Sequence, residues 1–170
     1  EIGSCLYFNK NNFFCAINNN SMFSIKFFET NISNLISYSY PTYVNDRTGK
    51  LKQSGVEMAY SYIGDTDRLT LFSNSLSSKK ADGNDQLRRP ETILGFNYAK
   101  DLDNGFGFIT NYKFKGEHLD VHNSNYSTIT MKELHMLDLT ITKKYFNYDL
   151  GVNIQTYLMK TTNLHMDSVK

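Results

Sequence analysis

From Pro90 to Lys100 the chain alternates, with Thr92, Leu94, Phe96 and Tyr98 at even positions and Ile93, Gly95, Asn97 and Ala99 at odd ones. The pattern returns from Phe106 to Phe114, where Phe106, Phe108, Tyr112 and Phe114 stand against Gly107, Asn111 and Lys113. Only Asp101-Leu102-Asp103-Asn104-Gly105 separates the two runs. A period of two predicts strands, and an Asp/Asn/Gly link between them predicts a hairpin. Two strands of about ten residues, each with one aromatic face, match a hairpin of a transmembrane β-barrel.

The same alternation recurs elsewhere. Phe13 to Ile17 is a short apolar segment between turns at Asn9–Asn12 and Asn18–Ser21. Phe27 to Tyr40 predicts a long strand with Phe28, Ile32, Ile36, Tyr38 and Tyr40 on one face. Glu29, Asn31, Ser33, Ser37 and Ser39 lie on the other, interrupted by Leu35. Asn45-Asp46-Arg47-Thr48-Gly49-Lys50 reads as a turn, after which Val56, Met58, Tyr60 and Tyr62 alternate with Glu57, Ala59 and Ser61. In Arg68 to Ser78 the alternation is weaker, because Leu69 and Leu71 are apolar on one face and Phe72 and Leu76 on the other. Two more strands follow, with His135, Leu137, Leu139 and Ile141 against Met136, Asp138, Thr140 and Thr142, and Tyr148 to Gln155.

Polar stretches at Ser77–Arg89 and Gly116–Thr128 read as long exposed loops. The connections thus alternate short near 65, long near 83, short near 103, long near 122 and short near 145. Outer-membrane barrels show this asymmetry. A ten-residue strand at about 3.3 Å per residue, tilted by roughly 45°, spans about 23 Å, close to the apolar band of such a membrane. Tyr62, Tyr98, Phe106 and Tyr148 would then lie in the interfacial aromatic girdle. The expected fold is all-β: an antiparallel up-and-down meander forming a partial transmembrane β-barrel of about eight strands. The competing architecture is a soluble sandwich with its aromatics packed inward.

Composition agrees with strands: 12 Tyr and 12 Phe against only 2 Pro. A net charge of +1 excludes nucleic-acid binding by bulk charge. No run of apolar residues approaches the length of a spanning helix. Cys5 and Cys15 are the only cysteines, and both a disulfide between neighbouring strands and two unpaired thiols are open.

Candidate chemistry is sparse. His118 and His122 have the i, i+4 spacing of two metal ligands on a helix, but a polar loop removes that geometry and leaves surface histidines. His135 falls in the lipid-facing row near a strand end, and His165 carries no pattern. Arg88 and Arg89 could meet an anionic substrate or anchor a strand end at the headgroups. Pro90 fits the first residue of a strand. Glu57 and Asp138 should point into the lumen as wall carboxylates. No nucleophile motif, phosphate-cradling loop or zinc-spaced cysteine set is present, so no catalytic residue, metal or cofactor is assigned, no substrate-binding residue is named, and an enzyme is not expected.

Several words in the sequence resemble the C-terminal barrel region of TonB-dependent outer-membrane receptors. They are Asn31-Ile32-Ser33-Asn34-Leu35-Ile36 followed by Gly55-Val56-Glu57 entering a strand, and Glu1-Ile2-Gly3 at the start. Leu87-Arg88-Arg89-Pro90 before an aromatic strand is similar to the cobalamin and siderophore receptor branch. The resemblance covers residues 1–155 and leaves 156–170 as a divergent or truncated tail. It implies a barrel of about 22 strands closed by an N-terminal plug, importing a scarce chelate across the outer membrane of a Gram-negative bacterium with energy relayed by TonB. Plug and TonB would be partners only in a full-length receptor, and outer-membrane lipid a partner of the wall itself. The expectation is a fragment, truncated or frameshifted at both ends. The alternative is a self-contained small β-barrel or sandwich holding an apolar ligand or carbohydrate.

Overall fold

A computed structural model describes residues 5–7, 11–39, 42–122 and 127–159. Glu1-Ile2-Gly3, Tyr40 and His165 lie outside them. The strands are β1 Cys5–Tyr7, β2 Asn12–Asn18, β3 Ser21–Ser39, β4 Thr42–Ile63, β5 Asp67–Lys80 and β6 Thr92–Asp101. They continue as β7 Phe106–Lys115, β8 His118–Val121, β9 Thr128–Met131, β10 Leu134–Tyr145 and β11 Tyr148–Met159. Nine form one antiparallel meander in the order β1-β2-β3-β4-β5-β6-β7-β10-β11, while β8 and β9 make a separate hairpin inside the link from β7 to β10. A meander satisfies its backbone donors and acceptors between sequence neighbours, except along the outer edges of β1 and β11, which a sheet facing hydrocarbon must have paired as well.

The register makes the alternation a property of the whole sheet. One transverse row runs Cys15, Phe23, Tyr60, Leu71, Phe96, Tyr112, Leu137 and Thr156, each the Cα partner of the next. Displaced by one residue along every strand is the row Ala16, Met22, Ser61, Thr70, Asn97, Asn111, Asp138 and Gln155. Side chains one residue apart point to opposite faces, so one face is apolar across the sheet and the other turns polar from Ser61 onward. We call the first outward and the second inward.

Among the described residues no second layer covers the outward face. Among the described residues the one buried aliphatic or aromatic side chain is Leu51, at 4% exposure. Outward residues such as Phe27, Leu137, Ile141, Val152 and Ile154 stay exposed. A sandwich would bury such residues between its sheets, so the soluble alternative lacks its defining core. Aromatic pairs run along the outward face instead, with Phe96 and Tyr112 at 5.7 Å between ring centroids and Tyr98 and Phe108 at 5.4 Å.

Several expectations from the pattern need correction. The segment 45–50 is not a turn, because β4 runs through it and the link from β3 falls at 40–41. β3 begins at Ser21, and its share of the apolar face is Phe23, Ile25 and Phe27. Phe28 and Ile32 are inward, opposite Gly55 and Leu51. Both precede the register shift between Ser33 and Leu35, where Asn34 takes φ 58°; the inward face of β3 carries large apolar residues too, so a single even-position face was misleading.

Ser77 to Lys80 belong to β5 rather than to a loop. Gly116–Thr128 is not free of structure, since it contains β8 and the first residue of β9. Pro90 stands two residues before β6, and β11 continues past Gln155 to Met159.

The weak alternation of β5 also has a physical cause. Phe72 is the Cα partner of Gly95, and a Cβ on Gly95 would come within 2.7 Å of the Phe72 ring, besides striking the Tyr112 carbonyl oxygen. Phe28 stands in the same relation to Gly55, at 2.7 Å. Each inward aromatic covers a bare glycine on the next strand, the arrangement known as aromatic rescue.

Cys15 is disulfide-bonded, and Cys5, the only other cysteine, is its direct Cα partner. The short links 19–20, 64–66, 102–105 and 146–147 all lie at one end of the sheet, and the longer 81–91 and 116–133 lie at the other.

Candidate functional site

The long-loop end is where polar side chains converge. The link after β5 folds back beside it: the Lys80 amide donates to the Asn84 carbonyl at 2.9 Å and the Gln86 amide to the Ser78 carbonyl at 3.0 Å. Gly83 takes φ +81° at the bend, a conformation that costs a glycine little. The Asp82 carboxylate accepts from the Asn84 amide at 2.9 Å, which lowers its pKa below the usual carboxylate range. Side chains complete the clasp: Ser78 Oγ donates to Gln86 Oε1 at 2.8 Å, and Gln53 Nε2 reaches the same oxygen at 3.2 Å. Lys79 pairs with Asp85.

Arg88 ties this loop to the β8–β9 hairpin. Its backbone N–H donates to the Leu119 carbonyl at 2.6 Å and its Nε to Asp120 Oδ1 at 2.7 Å. Arg88 sits at φ 62°, a left-handed conformation unfavourable for a residue with a Cβ, and these two bonds offset that strain. The Arg88 hydrogen bond is also the main reason the Asp120 carboxyl is held below the usual range.

Between loop, hairpin and the inward face of β5 lies an open cavity of about 160 Å³. Ser78, Gln86, Arg89, Glu91, Glu117 and His118 supply its polar lining. A site for a whole small molecule usually needs about 300 Å³ or more, so this cavity has the dimensions of one wall's share of a site.

The two arginines therefore separate. Arg88 braces two loops, while Arg89 lines the cavity. His118 opens β8 and lines the cavity, with Nδ1 at 3.4 Å from the Gly116 carbonyl. His122 follows the end of β8, some 13 Å along an extended chain, and the structure does not bring the two together. No group of three or more His, Cys, Asp or Glu among the described residues is placed to hold a metal ion.

His135 is outward, at 2.8 Å from the Tyr112 hydroxyl and against the Phe114 ring. Glu57 is inward, held by Lys26 at 3.2 Å and by Asn74 Nδ2 at 3.4 Å. Asp138 is inward too, its Oδ1 buried without a hydrogen-bond partner. Asp120, Gln86 and Ser78 carry the loop architecture but bear no sequence signal. Arg88 and Asp120 are 32 residues apart, and only the folded sheet brings their loops side by side.

No protein-family model and no curated protein matches the chain. Among solved structures it is similar to a chain of one described as "Structure of the FpvAI-pyocin S2 complex", with 14% identity and a TM-score of 0.66. The similarity covers 85% of this chain and 23% of that one. That neighbour is a TonB-dependent receptor, and likeness at such identity speaks for fold alone. The nine-stranded sheet has the fold of a stretch of a TonB-dependent receptor's barrel wall.

Proposed function

We propose that the chain is a wall segment of a TonB-dependent outer-membrane receptor that takes up a scarce chelate such as cobalamin or an iron siderophore. The adjacent outward and inward rows carry this reading: Tyr60, Leu71, Phe96, Tyr112 and Leu137 each have a polar neighbour one residue away on the other face. The outward face meets outer-membrane lipid and the inward face lines the lumen. The long-loop end then faces outside, where the partial cavity beside Arg89 and His118 contributes to capture of the chelate. The solved neighbour is described with a pyocin, and a partner arriving from outside would meet this same end. Plug and TonB enter only with the rest of the receptor, and the reading gives this chain no catalytic role.

Partitioning tests it. Expressed alone, the chain should aggregate in buffer, because the edges of β1 and β11 and the whole outward face are uncovered. It should gain strand circular dichroism only with detergent or lipid. A stable, monodisperse, detergent-free monomer would overturn the reading in favour of a self-contained binding module.

A further inference from the structure

The outward face of β3 to β5 changes chemistry along its length. Toward the short turns it carries Phe23, Ile25, Phe27, Val56, Met58, Tyr60 and Leu71. Beyond the paired Val56 and Ser75 come Ser54 and Ser77, then Lys52 and Lys79, themselves Cα partners, and then Lys50. Lys52 and Lys79 stand four residues beyond Val56 and Ser75. That is about 13 Å of strand, or about 9 Å along the membrane normal at a 45° tilt, the height of the headgroup layer.

Lys50, Lys52 and Lys79, with Asn31 and Ser33, line one open hollow of about 420 Å³ on this face, while Lys80, the Cα partner of Leu51, belongs to the inward row. Glu29 holds Lys52 at 3.0 Å and Asp85 holds Lys79. Two carboxylates thus stand against three ammonium groups, and Lys50 has no ion-pair partner among the described residues. The other strands are different at this end, where β6, β7 and β10 close their outward faces with Thr92, Phe114 and His135.

We infer that this hollow seats the phosphorylated headgroup of an anionic lipid in the leaflet on the long-loop side, an inference that rests on the outward face meeting lipid. Ammonium groups on flexible stems act as point charges toward phosphate. Their apolar stems can lie along the strand while the heads reach the phosphate layer. A soluble anion would need no alignment with an apolar band below, whereas a lipid must place its chains there.

The test refolds the full chain in mixed micelles and titrates phosphatidylglycerol against phosphatidylcholine, reading bound lipid by native mass spectrometry. The K50Q/K52Q/K79Q variant should lose about ten-fold or more in affinity for phosphatidylglycerol. K113Q/K115Q, which removes two inward lysines, should lose none. Unchanged affinity in the threefold variant would overturn the inference, and so would competition by millimolar inorganic phosphate, which would mark a free-anion site. Quenching of a Leu71→Trp variant by brominated acyl chains separates the two levels. Quenching without a lysine effect removes the lipid seat alone, while no quenching removes the lipid-facing reading beneath it.

Discussion

The hairpins β3–β4 and β6–β7 are built from the same alternation, yet they end in different places. The strands of β6–β7 are 10 residues each, about the length that crosses an apolar band at a 45° tilt. Those of β3–β4 have 19 and 22 residues, and their outward face is apolar only over the part paired with the rest of the wall. Past Phe27 and Val56 it becomes Glu29, Asn31, Ser54, Lys52 and Lys50. Backbone pairing continues through that change. Strand formation and an apolar outward face are thus separate properties here: the ladder sets the first, and the chemistry of alternate residues the second.

Charge placed on the two outward regions should break or sharpen this contrast most strongly. Ile141→Arg puts a cation in the apolar band and should destabilise the folded state in lipid by about 2–4 kcal/mol. Ser77→Arg, on the same face of the projecting part, should change it by less than about 0.5 kcal/mol. Urea titration in vesicles reads both, and equal losses would mean that the projection is embedded as well.

Next in size is Gly95→Val, where the added carbons meet the Tyr112 carbonyl and the Phe72 ring. It should cost about 1–3 kcal/mol, with Gly55→Val alike, since each hairpin has one glycine under a phenylalanine. A smaller, local effect is expected from Asp120→Asn, which removes the charge that Arg88 pairs with and should speed hydrogen exchange at the Arg88 amide while leaving β6–β7 unchanged. The pH dependence has the same origin. The Asp120 pKa is depressed in the folded state, so the brace is present above the usual aspartate range and is lost as pH falls through the depressed value.

Much of the wall was legible in the sequence. β6, β10 and β11 follow a period of two over most of their length, β7 breaks it only at Ile109 and Thr110, and the order of short and long links from residue 64 onward already gives the sheet its two ends. Two features were hidden. The inward face of β3 also carries large apolar residues, so Phe28 and Ile32 looked like the outward row although Phe23, Ile25 and Phe27 supply it. Phe72 looked like a defect in the alternation until Gly95 was found beneath it. The candidate site was the least legible part. Arg88 and His118 were identifiable as residues, but the contact that gathers their loops depends on a pairing 32 residues apart, which no local pattern encodes.

The chain contains no tryptophan, so a single introduced one reports on its own surroundings. Leu71 and Thr70 are adjacent in β5 and belong to the outward and inward rows. With the chain folded in vesicles, Leu71→Trp should emit at shorter wavelength and be quenched by brominated acyl chains. Thr70→Trp should be quenched by aqueous iodide instead. The same quenching profile at both positions would contradict a wall with lipid on one face and an aqueous lumen on the other.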